Sequence, residues 1–170
     1  AETISEIRAR CPGLTLETLT GDFGGDHGAQ DLVFAARPDI FSHNLETVER
    51  LQSQVRSAAR FDRSLEILRR ASAAGLVAKS GIMLGLGESD EEVLAAMREL
   101  RANGVSIVTL GQYLRPSKEH HPVKRWVSPD EFAALKEEGL AMGFRVVDAG
   151  PLVRSSYHAE RHVFDPGSTE

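Results

Sequence analysis

Residues 14–19 alternate apolar and polar side chains, Leu14-Thr15-Leu16-Glu17-Thr18-Leu19, which is the two-residue period of a strand. Ala29–Ala36 reads as a short helix, and Asp39–Ser42 as a short strand after Pro38. Leu45, Val48, Leu51 and Val55 share one helical face, so a helix is predicted over 45–55. Leu65, Ile67, Leu68 and Ala71 predict another over 65–74, ended by Gly75. Leu76–Leu86 is largely apolar, as a buried strand is. Ser89 with Glu92 three residues on forms a capping box, and the helix it opens runs to Asn103, with Gly104 suited to its C-terminal cap. Val105–Leu110 is rich in β-branched residues and reads as a strand. Ser128-Pro129-Asp130-Glu131 opens a further helix that ends near Met142-Gly143, and Phe144–Val147 is a last strand candidate.

Strands and helices in alternation, joined by a few residues, predict an α/β fold on a parallel sheet. The run from Gly111 to Val127 breaks the pattern. It holds Pro116, Pro122 and the adjacent His120 and His121, and is long for a structureless connection, so it is functional or a wrapping extension. At the start, Ile4, Ile7 and Cys11 recur at helical spacing before Pro12-Gly13. Two readings stand: an amphipathic helix entered partway along, in a chain that was cut, or a domain that opens on a helix.

Composition narrows the classes. The 170 residues are one domain's worth, with 41% hydrophobic and 26% charged, the balance of a globular protein rather than a disordered one. Lys and Arg number 20 against 25 Asp and Glu, a net charge of −5 with no basic block, which argues against nucleic acid. No apolar run reaches the roughly 18 residues of a membrane helix. One cysteine excludes an internal disulfide and any cysteine-rich metal cluster supplied by this chain alone.

In parallel α/β folds ligands bind beyond the carboxyl ends of strands. Polar and small residues follow four of the predicted strands: Thr20-Gly21-Asp22-Phe23-Gly24-Gly25-Asp26, His43-Asn44-Leu45-Glu46, Gly85-Leu86-Gly87-Glu88 and Gly111-Gln112-Tyr113-Leu114-Arg115. Each segment alone reads as turn or cap chemistry; their repetition on one rim favours a small-molecule site. Gly85 and Gly87 lead into Glu88, which would repel a phosphate, and neither a Rossmann nor a P-loop pattern is present. His158 and His162, four apart, lack a third ligand, and His120 and His121 read as loop packing or substrate contacts. Arg154-Ser155-Ser156-Tyr157 reads by itself as the cap of a terminal helical tail.

Five segments in order resemble the lipoyl synthase family of radical S-adenosylmethionine enzymes: Phe41-Ser42-His43-Asn44-Leu45-Glu46-Thr47-Val48, Lys79–Glu88, Thr109–Leu114, Val127–Phe132 and Gly150–Ala159. The resemblance implies about strands 3 to 6 of a partial (β/α)6 TIM-like barrel over residues 1–115. It implies a C-terminal extension over 116–170 that wraps the barrel and supplies a serine ligand. It implies S-adenosylmethionine and two 4Fe-4S clusters, and insertion of two sulfur atoms at C6 and C8 of a protein-bound octanoyl-lysine. The implied partners are an octanoylated lipoyl carrier domain, of a dehydrogenase-complex E2 or a glycine-cleavage H protein, and an electron donor such as ferredoxin or flavodoxin. The implied location is cytoplasmic, or mitochondrial or plastid in a eukaryote.

Carried over by residue, the resemblance assigns Asn44 and Glu46 to the ribose of S-adenosylmethionine. Gly81, Met83, Gly85 and Glu88 match Gly-x-Ile-x-Gly-x-x-Glu, with Met at the Ile position, and shape the adenosyl pocket. Gln112, Tyr113 and Leu114 line the adenine side. Arg63 is a candidate for the ligand's carboxylate. Ser156 matches the serine that ligates one iron of the auxiliary cluster, where a hard oxygen beside thiolates makes a weak bond; Arg154 gates or steadies it. The family's two cysteine triplets are absent, so the chain is expected to be a C-terminal portion, inactive alone, with a strand edge left to pair. Two rivals are a biotin-synthase-like sulfur-inserting enzyme and a non-catalytic module that only binds a lipoyl carrier domain.

Overall fold

The computed structural model describes residues 1–156. Tyr157, His158, His162 and the terminal tail lie outside the described residues. Five strands form one sheet: β1 (Glu17–Leu19), β2 (Ile40–Ser42), β3 (Val77–Leu84), β4 (Val105–Gln112) and β5 (Val146–Gly150), in spatial order β1-β2-β3-β4-β5 and all parallel. Every connection steps to the next strand in the same direction. Right-handed crossovers then put the intervening helices on one face, which is the winding of a barrel rather than of a doubly wound sheet. The helices are α1 (Glu2–Arg10), α2 (His27–Ala35), α3 (Gln52–Val55), α4 (Phe61–Ala73), α5 (Asp90–Ala102) and α6 (Pro129–Ala141).

The core lies between that helical layer and one sheet face. Ile82, Leu84, Val108, Leu110 and Val147 from the strands meet Leu65, Leu68, Val93, Met97, Leu100 and Phe132 from α4, α5 and α6. A smaller cluster joins Ile4 of α1 to Phe34, Phe41 and Ile67, with Phe34 and Phe41 edge to face at 5.2 Å. The opposite face carries smaller and polar residues. In register across it stand Leu19, Ser42, Lys79 and Ile107, then Gly81 beside Thr109 and Met83 beside Gly111. Lys79 is fully buried, and its Nζ donates to both carboxylate oxygens of Glu17 at 2.8 Å.

The structure departs from the sequence reading in two places. Residues 45–48 are not helical. Leu45 N donates to Ser80 Oγ (3.1 Å), Glu46 N to Gly81 O (2.9 Å), and Met83 N donates to Glu46 O (2.8 Å), so bonds to β3 replace those of a helix. Regular winding starts with a 3-10 turn at Glu49–Leu51 and continues in α3. The last strand starts at Val146, because Phe144 N is spent on Gly139 O at the end of α6. The five strands are the five that the sequence pattern predicts, in an α/β arrangement. β5 lies past residue 115 and pairs with β4 from Ile107↔Val146 to Gly111↔Gly150.

Candidate functional site

A cavity of about 380 Å³ opens at the carboxyl ends of the strands. Its floor is Leu19, Gly81, Met83, Thr109 and Gly111; Asn44 and Glu46 form one wall, and Gln112, Leu114 and Val153–Ser155 the other. Close packing explains the glycines. A Cβ on Gly81 would lie 2.8 Å from Thr109 Oγ1 and 3.0 Å from Asn44 Oδ1. A Cβ on Gly111 would lie 2.3 Å from Val153 O, so the segment that follows β5 can cross β4 only over a glycine.

Asn44 and Glu46 carry the polar chemistry. Asn44 Nδ2 donates to Glu46 Oε1 at 3.2 Å, while Asn44 Oδ1 is buried with no hydrogen-bond partner among the described residues. A buried acceptor left unpaired costs roughly 1–3 kcal/mol, which a donor entering the cavity would recover. Burial pushes the Glu46 carboxyl above its ordinary range, and the Asn44 hydrogen bond and the charge of Arg56 pull the other way. Glu46 also sits at φ +68°, in the left-handed region that non-glycine residues rarely occupy. Strain, an orphaned acceptor and a part-buried carboxylate coincide at one spot, as at sites built for a ligand.

Of the residues singled out from sequence, the cavity gathers Asn44, Glu46, Gly81, Met83, Gln112, Leu114 and Arg154. The others stand around it. Glu88 accepts from Gly85 N (2.6 Å) and Leu86 N (2.8 Å), fixing the loop after β3. Gln112 Oε1 accepts from Val127 N (3.0 Å), and its Nε2 donates to Tyr113 O (3.0 Å) and Arg125 O (3.3 Å). Tyr113 is buried, with its hydroxyl donating to His121 O (2.9 Å). Arg63 is committed to Asp22 (2.8 Å) and Ala58 O (3.1 Å) and does not line the cavity. Arg154 lines it and donates to Val153 O (2.6 Å), whereas Ser156 is exposed and outside the lining.

Sequence reasoning passed over Leu19, Thr109 and Val153. Thr109 carries a signal in hindsight, as the only hydroxyl two residues before Gly111 on the face that β4 turns away from the helices. The lining fits a nucleoside: Met83, Leu19 and Leu114 offer apolar contact, and Asn44 Oδ1 with the Glu46 carboxylate presents acceptors for a vicinal diol. An iron–sulfur cluster is not matched in the same way. Cys11 is the single cysteine and is exposed, and among the described residues no group of three His, Cys, Asp or Glu side chains could hold a metal ion.

A family model described as the Radical SAM superfamily matches residues 1–100. The chain is 53% identical over 163 residues to a lipoyl synthase of Flavobacterium psychrophilum, covering 95% of this chain and 56% of that protein. It is 51% identical over 164 residues to a mitochondrial lipoyl synthase of Nematostella vectensis, covering 96% and 56%. The chain thus spans about half the length of the curated relatives it matches. The crystal structure of a methylornithine synthase superposes with a TM-score of 0.64 at 16% identity, over 96% of this chain and 57% of that one, a likeness of fold.

Proposed function

The chain belongs to the radical SAM superfamily, and from that membership we propose that it is the nucleoside-binding part of a lipoyl synthase. The observation that carries this reading is the meeting of the unpartnered Asn44 Oδ1 and the Glu46 carboxylate over Gly81 at the strand ends. Asn44 and Glu46 would take the ribose hydroxyls of S-adenosylmethionine, and Gly81, Met83 and Leu114 its ring. When bound, S-adenosylmethionine supplies the one-electron chemistry that opens unactivated C–H bonds. The chain's own contribution is to bind and orient it and to exclude water from the floor between β3 and β4.

The reaction proposed for the whole protein is insertion of two sulfur atoms at C6 and C8 of an octanoyl-lysine on a lipoyl carrier domain, with two 4Fe-4S clusters and electrons from a ferredoxin or flavodoxin. The names of relatives about half identical to this chain support that choice over a biotin-synthase-like reaction. Ser156 is proposed as one auxiliary-cluster ligand with Arg154 beside it, in an extension taken to start at 116. One cysteine cannot hold a four-iron cluster, so these residues alone are expected to be inactive. Among the described residues no helix is long and apolar enough to cross a membrane, and one relative is mitochondrial; the compartment proposed is the cytoplasm or an organelle matrix.

The test is calorimetric titration of S-adenosylmethionine into the wild-type chain and into Asn44→Ala and Glu46→Gln. Each substitution should weaken binding by roughly ten- to a hundredfold, the worth of one or two polar contacts. In parallel, a protein of the relatives' full length, reconstituted anaerobically, should add two sulfur atoms to an octanoylated carrier by mass spectrometry. Nucleoside binding without any sulfur addition would remove the lipoyl synthase assignment and leave the superfamily.

A further inference from the structure

The segment that carries Asn44 and Glu46 runs on from the end of β2 along β3, beyond the last β1–β2 pair at Leu19↔Ser42. On its β3 side, Leu45 N, Glu46 N and Glu46 O are taken up by Ser80 Oγ, Gly81 O and Met83 N. Its remaining carbonyls are taken up by two side chains from the one-turn helix α3 and the residue that ends it. Gln52 Nε2 donates to Leu45 O (2.8 Å) and Thr47 O (3.3 Å), and Arg56 Nη1 donates to Asn44 O (2.9 Å). Gln52 and Arg56 are four apart, hence on one face of that turn. Gln52 is buried, and its Oε1 has no partner among the described residues.

We propose that Gln52 and Arg56 are positioning residues for the nucleoside wall, a brace that holds three carbonyls of segment 44–47 and sets a guanidinium charge behind the Glu46 carboxylate. The inference rests on the nucleoside reading of the cavity only for its ligand; the brace is defined by hydrogen bonds on the far side of the wall. Leu45 and Thr47 are fully buried, so their carbonyls need donors from the chain, and Gln52 supplies both while its own Oε1 has no partner among the described residues. The return is a fixed peptide plane at Asn44 and a fixed carboxylate at Glu46, the rigidity a binding constellation needs from the residues around it.

The brace has an electrostatic signature that packing alone would not give. The charge that bears on Glu46 is that of Arg56 at the end of α3; Arg154, from the segment after β5, lines the same cavity, and His43, on the same segment as Glu46, turns its ring to Thr20 and Ser64 instead. His43 is held below its ordinary value by burial, and its Nδ1 and Nε2 are engaged by Thr20 O and Ser64 Oγ, so it stays neutral near pH 7. Arg56 favours the ionised carboxylate against burial. Removing its charge therefore moves the Glu46 titration to higher pH, and S-adenosylmethionine affinity, which needs the carboxylate, begins to fall at a higher pH as acid is added.

The experiment follows the Glu46 side-chain carboxyl by carbon-13 NMR through a pH titration in the wild-type chain, Arg56→Gln and Arg56→Lys. Gln keeps a donor without the charge; Lys keeps the charge without the planar fork. The expected result is an upward displacement of the Glu46 titration in Arg56→Gln, restored in part by Arg56→Lys. Calorimetry at pH 8 should show S-adenosylmethionine bound about tenfold more weakly by Arg56→Gln, at nearly unchanged melting temperature. A Glu46 titration that coincides in all three proteins overturns the brace. If Arg56→Gln does not fold, Arg56→Lys decides alone, since loss of the fork should still weaken binding, and wild-type affinity there overturns the inference. Failure of the wild-type chain to bind S-adenosylmethionine would instead overturn the nucleoside reading, while the NMR titration would still decide the brace.

Discussion

Glu46 combines a left-handed backbone with a carboxylate that burial disfavours. Both features cost stability, the backbone alone on the order of 1 kcal/mol. The electrostatic cost has a definite sign. A carboxyl whose folded value is raised binds a proton more readily in the native state, so stability declines as pH rises through the folded value. Glu46→Gln should therefore raise the melting temperature at pH 7.5 by about 2–4 °C, and the gain should vanish near pH 4, where the wild-type carboxyl is already protonated. Thermal melts at the two pH values check this; an equal gain at both would mean that burial of charge is not the cause. Asn44 and Glu46 were legible in the sequence because they follow a strand end; Gly81 was marked only through the family resemblance. Gln52 and Arg56 were not: they act by reaching back across a one-turn helix to carbonyls that no local pattern marks.

The same contrast holds for elements. The capping boxes of α5 and α6 were readable because their bonds close within three residues. Ser89 Oγ accepts from Glu92 N (3.2 Å) while Glu92 accepts from Ser89 N (2.8 Å), and Ser128 and Glu131 repeat the exchange at 3.3 and 2.8 Å. The helix expected over 45–55 is missing at 45–48 because its competitor there, β3, lies some 35 residues away and offers in-register partners to Leu45 and Glu46. Leu45 and Val48 are buried on a non-helical path, and Leu51 in the 3-10 turn that follows, as one helix face would bury all three. The capping carboxylates carry a prediction. Hydrogen bonds from Arg50 and the Ser89 backbone pull Glu92 down to about 2, and the Ser128 backbone and side chain with Arg125 do the same for Glu131, also to about 2. Carboxyls depressed on folding stabilise above their ordinary value near 4.5 and lose that contribution as pH falls toward 2. Urea midpoints measured from pH 5 to pH 2 should fall less steeply in Glu92→Gln and Glu131→Gln than in the wild type. Parallel curves would refute it.

Across the whole molecule, the edge strand β1 is only three residues long, and its hydrogen-bonded neighbour β2 is no longer. The Glu17–Lys79 pair spans both, tying β1 to the long β3 on the face away from the helices. Removing one member of a buried pair leaves the other charge uncompensated. Lys79→Met should thus lose about 3–5 kcal/mol of unfolding free energy, most of it returned in Glu17→Gln/Lys79→Met. Denaturant titration of the single and double variants measures both; a single variant within about 1 kcal/mol of wild type would show that the pair is not what holds the edge. The strand order has a wider implication. Because neighbours in space are neighbours along the chain, no loop crosses from one side of the sheet to the other. Each strand–helix unit therefore packs on its neighbours in sequence, and the sheet can grow one unit at a time from either edge without rethreading.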